Sequence, residues 1–234
     1  MVNELTQRIQ VHDLLEVDSE RLLAAAELHQ DRLPEWVPAC LHATPVVHVR
    51  RGMERDAALP VGVRGVSRAQ RWATFCRRAF IRRVTTPEHL LTFPFPASRA
   101  SSIPALQSLR QLVTLWADLD FRWGPIGSIG FELLTGREVA TAASDLDVVI
   151  YAPRRIAKKE AAHVCGLVAY LPARVDIRVE TGECGFSLSE YANISTQKVL
   201  LRTPLGEILG EDPWNIDCAS SRTHEETRLT WERP

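Results

Sequence analysis

Ser144-Asp-Leu-Asp-Val-Val-Ile is the segment that most narrows what this chain can fold into. Alternate residues of a strand share a face, so Leu146, Val148 and Ile150 point into a core while Asp145 and Asp147 stand side by side opposite them. Helical patterns surround it, Ala105 to Leu119 and Phe131 to Leu134 before and Arg155 to Tyr170 after. Further strands are expected at Phe121 to Trp123 and Val175 to Glu180, and Val199 to Arg202 with Glu207 to Leu209 read as a hairpin around Thr-Pro-Leu-Gly. The fold class is α/β (α+β), a small mixed sheet with helices packed on it.

The first part of the chain is organised differently. Ser19 to Gln30 reads as a helix, and Pro45 to Arg50 and Leu59 to Arg64 as strands. Ser67, behind Gly65, is placed to cap a helix running to Arg82, with Ala69, Trp72, Ala73, Cys76, Ala79 and Phe80 on one face and Arg68, Arg71, Arg78 and Arg82 striped beside it. Pro87, Pro94, Pro96 and Pro104, with Ser98, Ser101 and Ser102, then forbid long regular structure. The expected division is a smaller α+β Arg-rich substrate-binding domain over 1–88, a linker over 89–104, a catalytic domain over 105–216 and a loose tail over 217–234.

Bulk properties narrow the function. The chain has 234 residues, 45% hydrophobic and 24% charged, with a net charge of −1. That balance excludes a surface coated for general nucleic-acid or membrane binding, so any basic site is local. Between Arg50 and Arg83, ten arginines face only Glu54 and Asp56, a local excess of eight. No run approaches a membrane span, and the five scattered cysteines form no Cys-x-x-Cys pair, so a reducing, cytoplasmic setting is expected.

The chemistry is expected around the acidic strand. Gly127-Ser128 stands at a strand-to-helix turn, where glycine lets backbone N–H groups approach phosphate oxygens at the positive end of a helix. In the later strand Val175, Ile177 and Val179 form the buried set, leaving Asp176 on the polar face with Arg178 and Glu180. If the two strands are neighbours, Asp145, Asp147 and Asp176 make a three-carboxylate cluster. Like charges this close repel unless a cation neutralises them, and hard oxygen ligands suit Mg²⁺, here two ions. A second acidic pair, Asp118 and Asp120, lies at a helix end without a following β-branched run and reads as solvated surface. His12-Asp13, without further metal-ligand spacing, reads as structural.

The order Gly-Ser, helix, Asp-x-Asp strand, helix, strand Asp resembles the nucleotidyltransferase core of the DNA polymerase β superfamily. Within it the chain is similar to the malonate decarboxylase holo-acyl-carrier-protein synthase family, also called phosphoribosyl-dephospho-CoA transferases. The resemblance rests on His12-Asp-Leu-Leu, Val46-Val-His-Val-Arg-Arg, Leu59 to Trp72, Trp123 to Gly136, Ser144 to Ile150, Gly185-Phe-Ser-Leu-Ser-Glu-Tyr-Ala, Val199-Leu-Leu-Arg-Thr and Asp212-Pro-Trp. Glu16 departs from it, standing where an aromatic is expected after His-Asp-Leu-Leu.

The resemblance implies that Asp145, Asp147 and Asp176 are catalytic and hold two Mg²⁺, and that Gly127 and Ser128 meet the donor's phosphates. It implies triphosphoribosyl-dephospho-CoA as donor and the acyl carrier protein subunit of malonate decarboxylase as partner, with no nucleic acid or membrane involved. Arg64, Arg68 and Arg71, nearest the Gly65 turn, are the candidates for further phosphate contacts, since arginine's planar fork suits phosphate oxygens. Two alternatives stay open: a nucleotidyltransferase using ATP on an antibiotic, a tRNA end or a protein, and a non-catalytic nucleic-acid-binding protein.

Overall fold

The structure is a computed structural model that describes residues 8–28, 33–67 and 69–216. The expected tail over 217–234 lies outside the described residues, as do Gln30 and Arg68.

The elements run β1 (Leu14–Val17), α1 (Ser19–Leu28), α2 (Trp36–Ala43), β2 (Val46–Val49), β3 (Ala58–Arg64), β4 (Arg71–Arg77) and β5 (Ile81–Thr85). There follow α3 (Pro87–Leu90), α4 (Ala97–Ala100), α5 (Pro104–Leu115), β6 (Arg122–Pro125), α6 (Gly127–Thr135) and β7 (Leu146–Tyr151). The chain continues through α7 (Lys158–Val168), β8 (Val175–Glu180), β9 (Gly185–Ser187), α8 (Leu188–Ala192), β10 (Val199–Thr203) and β11 (Gly206–Gly210). The architecture is mixed α and β, built on two sheets.

The first sheet has the order β4-β3-β2-β1-β5 with every pair antiparallel. One face packs α1 and α2 over Leu15, Val17, Val47, Val61 and Val63. The other face contributes Leu14 and Val46 to the second core, so the two halves share apolar contacts.

The helix expected from Ser67 to Arg82 does not form. Instead Gly65 N–H bonds the Gln70 carbonyl at 2.9 Å and Ser67 N–H bonds Gln70 Oε1 at 3.0 Å. Seven residues of β4 then pair with β3 from Arg64↔Arg71 to Ala58↔Arg77. Trp72 and Cys76, four apart, satisfy both a helical and an alternating pattern. Thr74 breaks the tie, because Trp72, Thr74 and Cys76 are all buried while Arg71, Ala73 and Arg77 are exposed. β-Branched and aromatic residues favour the pleated surface.

The second sheet has the order β11-β10-β9-β8-β7-β6, and β7·β8 is its parallel pair, crossed over by α7. The expected strands and hairpin of this half form, along with β9 and α8, which carry no strong periodicity. Leu146, Val148, Ile150, Ile177 and Val179 build the core as their alternation requires. Val149 and Tyr151 are buried too, because the first half covers that end of the sheet, where the Tyr151 hydroxyl donates to the Val11 carbonyl at 2.9 Å. The proline-rich segment holds only the short α3 and α4, yet Leu90, Ala100 and Ile103 pack into the second core.

Candidate active site

A cleft of about 910 Å³ opens between the halves. The second half contributes Gly127, Ser128, Asp145 and Asp147. Ile126 is extended, Gly127 has φ +62°, and α6 begins there. Ile126 N–H bonds the Asp147 carbonyl at 2.9 Å, tying the turn to the acidic strand. A Cβ on Gly127 would overlap Asp147 Oδ2. Glycine is therefore needed twice here, for its left-handed backbone and for the room that the carboxylate takes.

Asp147 and Asp176 are direct register partners on the parallel strands β7 and β8. Asp176 is not among the cleft-lining residues; its Oδ2 accepts from Arg178 Nη2 at 2.7 Å, and Arg178 lines the cleft instead. Among the described residues no group of three or more His, Cys, Asp or Glu side chains is assembled as a metal ligand set. The decoy pair is surface as read: Asp118 and Asp120 are exposed, and Asp120 meets Arg154 at 3.2 Å.

The first half supplies the positive wall. Arg64 and Arg71 line the cleft, directly opposite one another across β3 and β4. Like charges in such a cross-strand pair raise the local positive potential. Arg68 lies outside the described residues. Three more of these arginines meet acids elsewhere: Arg78 pairs with Glu54 at 2.7 Å, Arg82 with Asp18 at 3.1 Å, and Arg83 with Glu16. Arg50, Arg51, Arg178 and Arg202 also line the cleft, a role the sequence reading did not assign them. Arg50 and Arg51 follow a strand whose register was unknown, so their direction could not be read. Arg178 could have been included, since it shares the polar face of Asp176.

His12 lines the cleft, and its Nε2 meets Glu180 Oε1 at 2.9 Å. Arg51 pairs with the other oxygen of the same buried carboxylate, so one acid from β8 latches two residues of the first half. His48 is pushed down to about 4, first by burial and then by Arg50, His12, Arg71 and Arg64. It is therefore a neutral imidazole amid guanidinium groups at neutral pH.

Known proteins match this chain over both halves. Residues 10–87 match the family model described as phosphoribosyl-dephospho-CoA transferase MdcG N-terminal domain, and residues 95–213 match that of the C-terminal domain. The chain belongs to the phosphoribosyl-dephospho-CoA transferase family. It is thus an enzyme of the transferase class. A family relative bearing that name from Pseudomonas putida is 37% identical over 188 residues, 80% of this chain and 89% of the relative. Another, from Azotobacter vinelandii, is 36% identical over 207 residues, 88% and 94% of the two chains. A third, from Klebsiella pneumoniae, is 36% identical over 186 residues, 77% and 86%. No solved structure matches this transferase-family chain. Among its described residues no helix is long and apolar enough to cross a membrane.

Proposed function

We propose that this enzyme transfers the phosphoribosyl-dephospho-CoA group from 2′-(5″-triphosphoribosyl)-3′-dephospho-CoA to a serine of the apo acyl carrier protein subunit of malonate decarboxylase. The serine oxygen loses its proton to solvent and bonds to the α-phosphorus, the bridging bond to the β-phosphate breaks, and pyrophosphate leaves. One juxtaposition carries the reading: within the family's own chain, Asp145 and Asp147 share a cleft with the Gly127-Ser128 turn and with Arg64 and Arg71.

The donor set fits magnesium, because the carboxylates are hard oxygen ligands and the missing Gly127 side chain leaves Asp147 its space. Asp145 and Asp147 would hold the ion, and Asp176 would join them on exchange from Arg178. Bound there, magnesium neutralises charge on the transferring and leaving phosphates. Gly127 and Ser128 offer N–H groups to the far phosphates at the start of α6. Arg64 and Arg71 hold further donor phosphates with charged hydrogen bonds, and Arg68 is assigned the same role from the sequence. The donor is thereby fixed between two walls, and orientation with charge compensation supplies most of the acceleration.

Pyrophosphate release tests this reading. It should require the triphosphoribosyl donor, apo carrier protein and Mg²⁺ together. Release with ATP and an unrelated acceptor, but none with this pair, would assign the chain to another nucleotidyl transfer.

A further inference from the structure

The connection from α6 to β7, residues 136–145, carries Asp145 at its end, and its first half is fastened to α6. Gly136 ends the helix in the left-handed conformation at φ +69°. Glu132, buried in α6, takes the backbone N–H groups of Val139 and Ala140 at 2.9 Å each on Oε2. The Arg99 fork grips the same carboxylate, Nε to Oε1 at 2.8 Å and Nη2 to Oε2 at 3.2 Å. Arg99 also donates to the Ala140 carbonyl at 2.8 Å and to Glu138 at 3.0 Å. The second half closes on itself, with Thr141 N–H to Ser144 Oγ at 2.9 Å and Ser144 N–H to the Thr141 carbonyl at 3.0 Å. Burial alone would raise the Glu132 carboxyl, but Arg99 and the two N–H groups outweigh it and hold the group below its usual range.

From this geometry we infer that Glu132 and Arg99 are positioning residues, which set Asp145 against the Gly127-Ser128 turn. Ser128 and Glu132 lie one turn apart on the same helix, so the helix that presents the phosphate turn also anchors the loop bearing the carboxylate. Arg99 reaches this point from α4, across the sequence, and bridges the helix to the loop in three directions. A buried ion pair is weak evidence for stability, because apolar replacements of such pairs are often neutral. The bonds formed here instead go to the loop backbone, which is what fixing a position requires. The inference rests on the cleft being the transfer site, as proposed above.

The test uses the full chain with Arg99→Lys and Arg99→Ala. Lysine keeps the charge but lacks the fork, and it is the deciding variant if alanine fails to fold. Hydrogen exchange should quicken at the amides of 139–145 and stay unchanged in β7 and β8. Turnover should fall about a hundredfold in Arg99→Ala and less in Arg99→Lys, since small misplacements of reacting groups have effects of this size. The Michaelis constant for the donor should hardly move. Binding of Mn²⁺, followed by electron paramagnetic resonance, should weaken in the same direction as in Asp145→Ala. Faster loop exchange with unaltered turnover and Mn²⁺ binding would overturn the inference, as would a uniform rise in exchange across both sheets. If the wild type transfers nothing to carrier protein, the proposed activity fails, and loop exchange with Mn²⁺ binding still decides the anchor. A wild type that neither transfers nor binds Mn²⁺ overturns both.

Discussion

Arg178 turns back two residues along its own strand to neutralise Asp176, the register partner of Asp147. The guanidinium thus occupies the carboxylate proposed above to join the metal site. Arg178→Ala should leave two neighbouring strand carboxylates facing one another without that cation. Both members of the pair are partly exposed, so a loss of about 1 kcal/mol is expected, or a few degrees in Tm. Added Mg²⁺ should restore the Tm of the variant more than it raises that of the wild type. Equal responses of the two proteins would show that Arg178 does not stand in for a cation.

Asp147→Ala should keep the fold, since this side chain is half-buried at the cleft rather than part of the core. Losing about 4 kcal/mol of charge stabilisation lowers the rate on the order of 10³-fold. Asp118→Ala, at the exposed decoy pair, should be nearly neutral. Steady-state rates of the two folded variants settle the contrast, and equal damage would mean that the acidic pair was misassigned.

Arg64→Ala and Arg71→Ala should raise the Michaelis constant for the donor roughly ten- to hundredfold, the scale of one charged hydrogen bond. Carrier-protein dependence should stay as in the wild type. Separate titrations of the two substrates check this. A salt-sensitive loss of carrier affinity at normal donor affinity would assign the wall to protein docking.

Asp13 is 1% exposed and is pushed up to about 7, chiefly by burial, with Glu88 adding to the rise and Gln10 N–H and Arg122 opposing it. The folded state therefore holds this proton more tightly than the unfolded chain. Its stabilising contribution is fully present below about pH 4 and is lost as pH rises to about 7. Asp13→Asn should remove that part of the slope and unfold at higher urea than the wild type at pH 8. Parallel stability profiles of the two proteins between pH 4 and 8 would contradict the assignment.

Much of the second half was legible because core residues recur at every second position of β7 and β8, at Leu146, Val148 and Ile150 and at Ile177 and Val179, and its helices bury regular stripes. Asp145, Asp147, Gly127 and Ser128 reach one cleft because the chain order strand, glycine turn, helix, strand leaves few other arrangements. The first half was harder. Its decisive segment, Arg71 to Arg77, spaces Trp72 and Cys76 by four residues, which is two strand periods and about one helical turn, and hairpin pairing with β3 overrode the helical reading. The arginine stripe was legible as charge but not as partners, because Glu16 and Asp18 meet Arg83 and Arg82 across 60 or more positions of sequence. Arg99 lay in a segment read as linker, and no local pattern reveals that its fork spans α6 and the loop before β7.

The mass of the carrier protein tests the central reading most directly. Apo carrier protein incubated with this enzyme, the triphosphoribosyl donor and Mg²⁺ should gain the mass of the phosphoribosyl-dephospho-CoA group on a single serine, and Asp147→Ala should give almost none in the same time. An unmodified carrier with folded wild-type enzyme, or equal modification by wild type and Asp147→Ala, would contradict it.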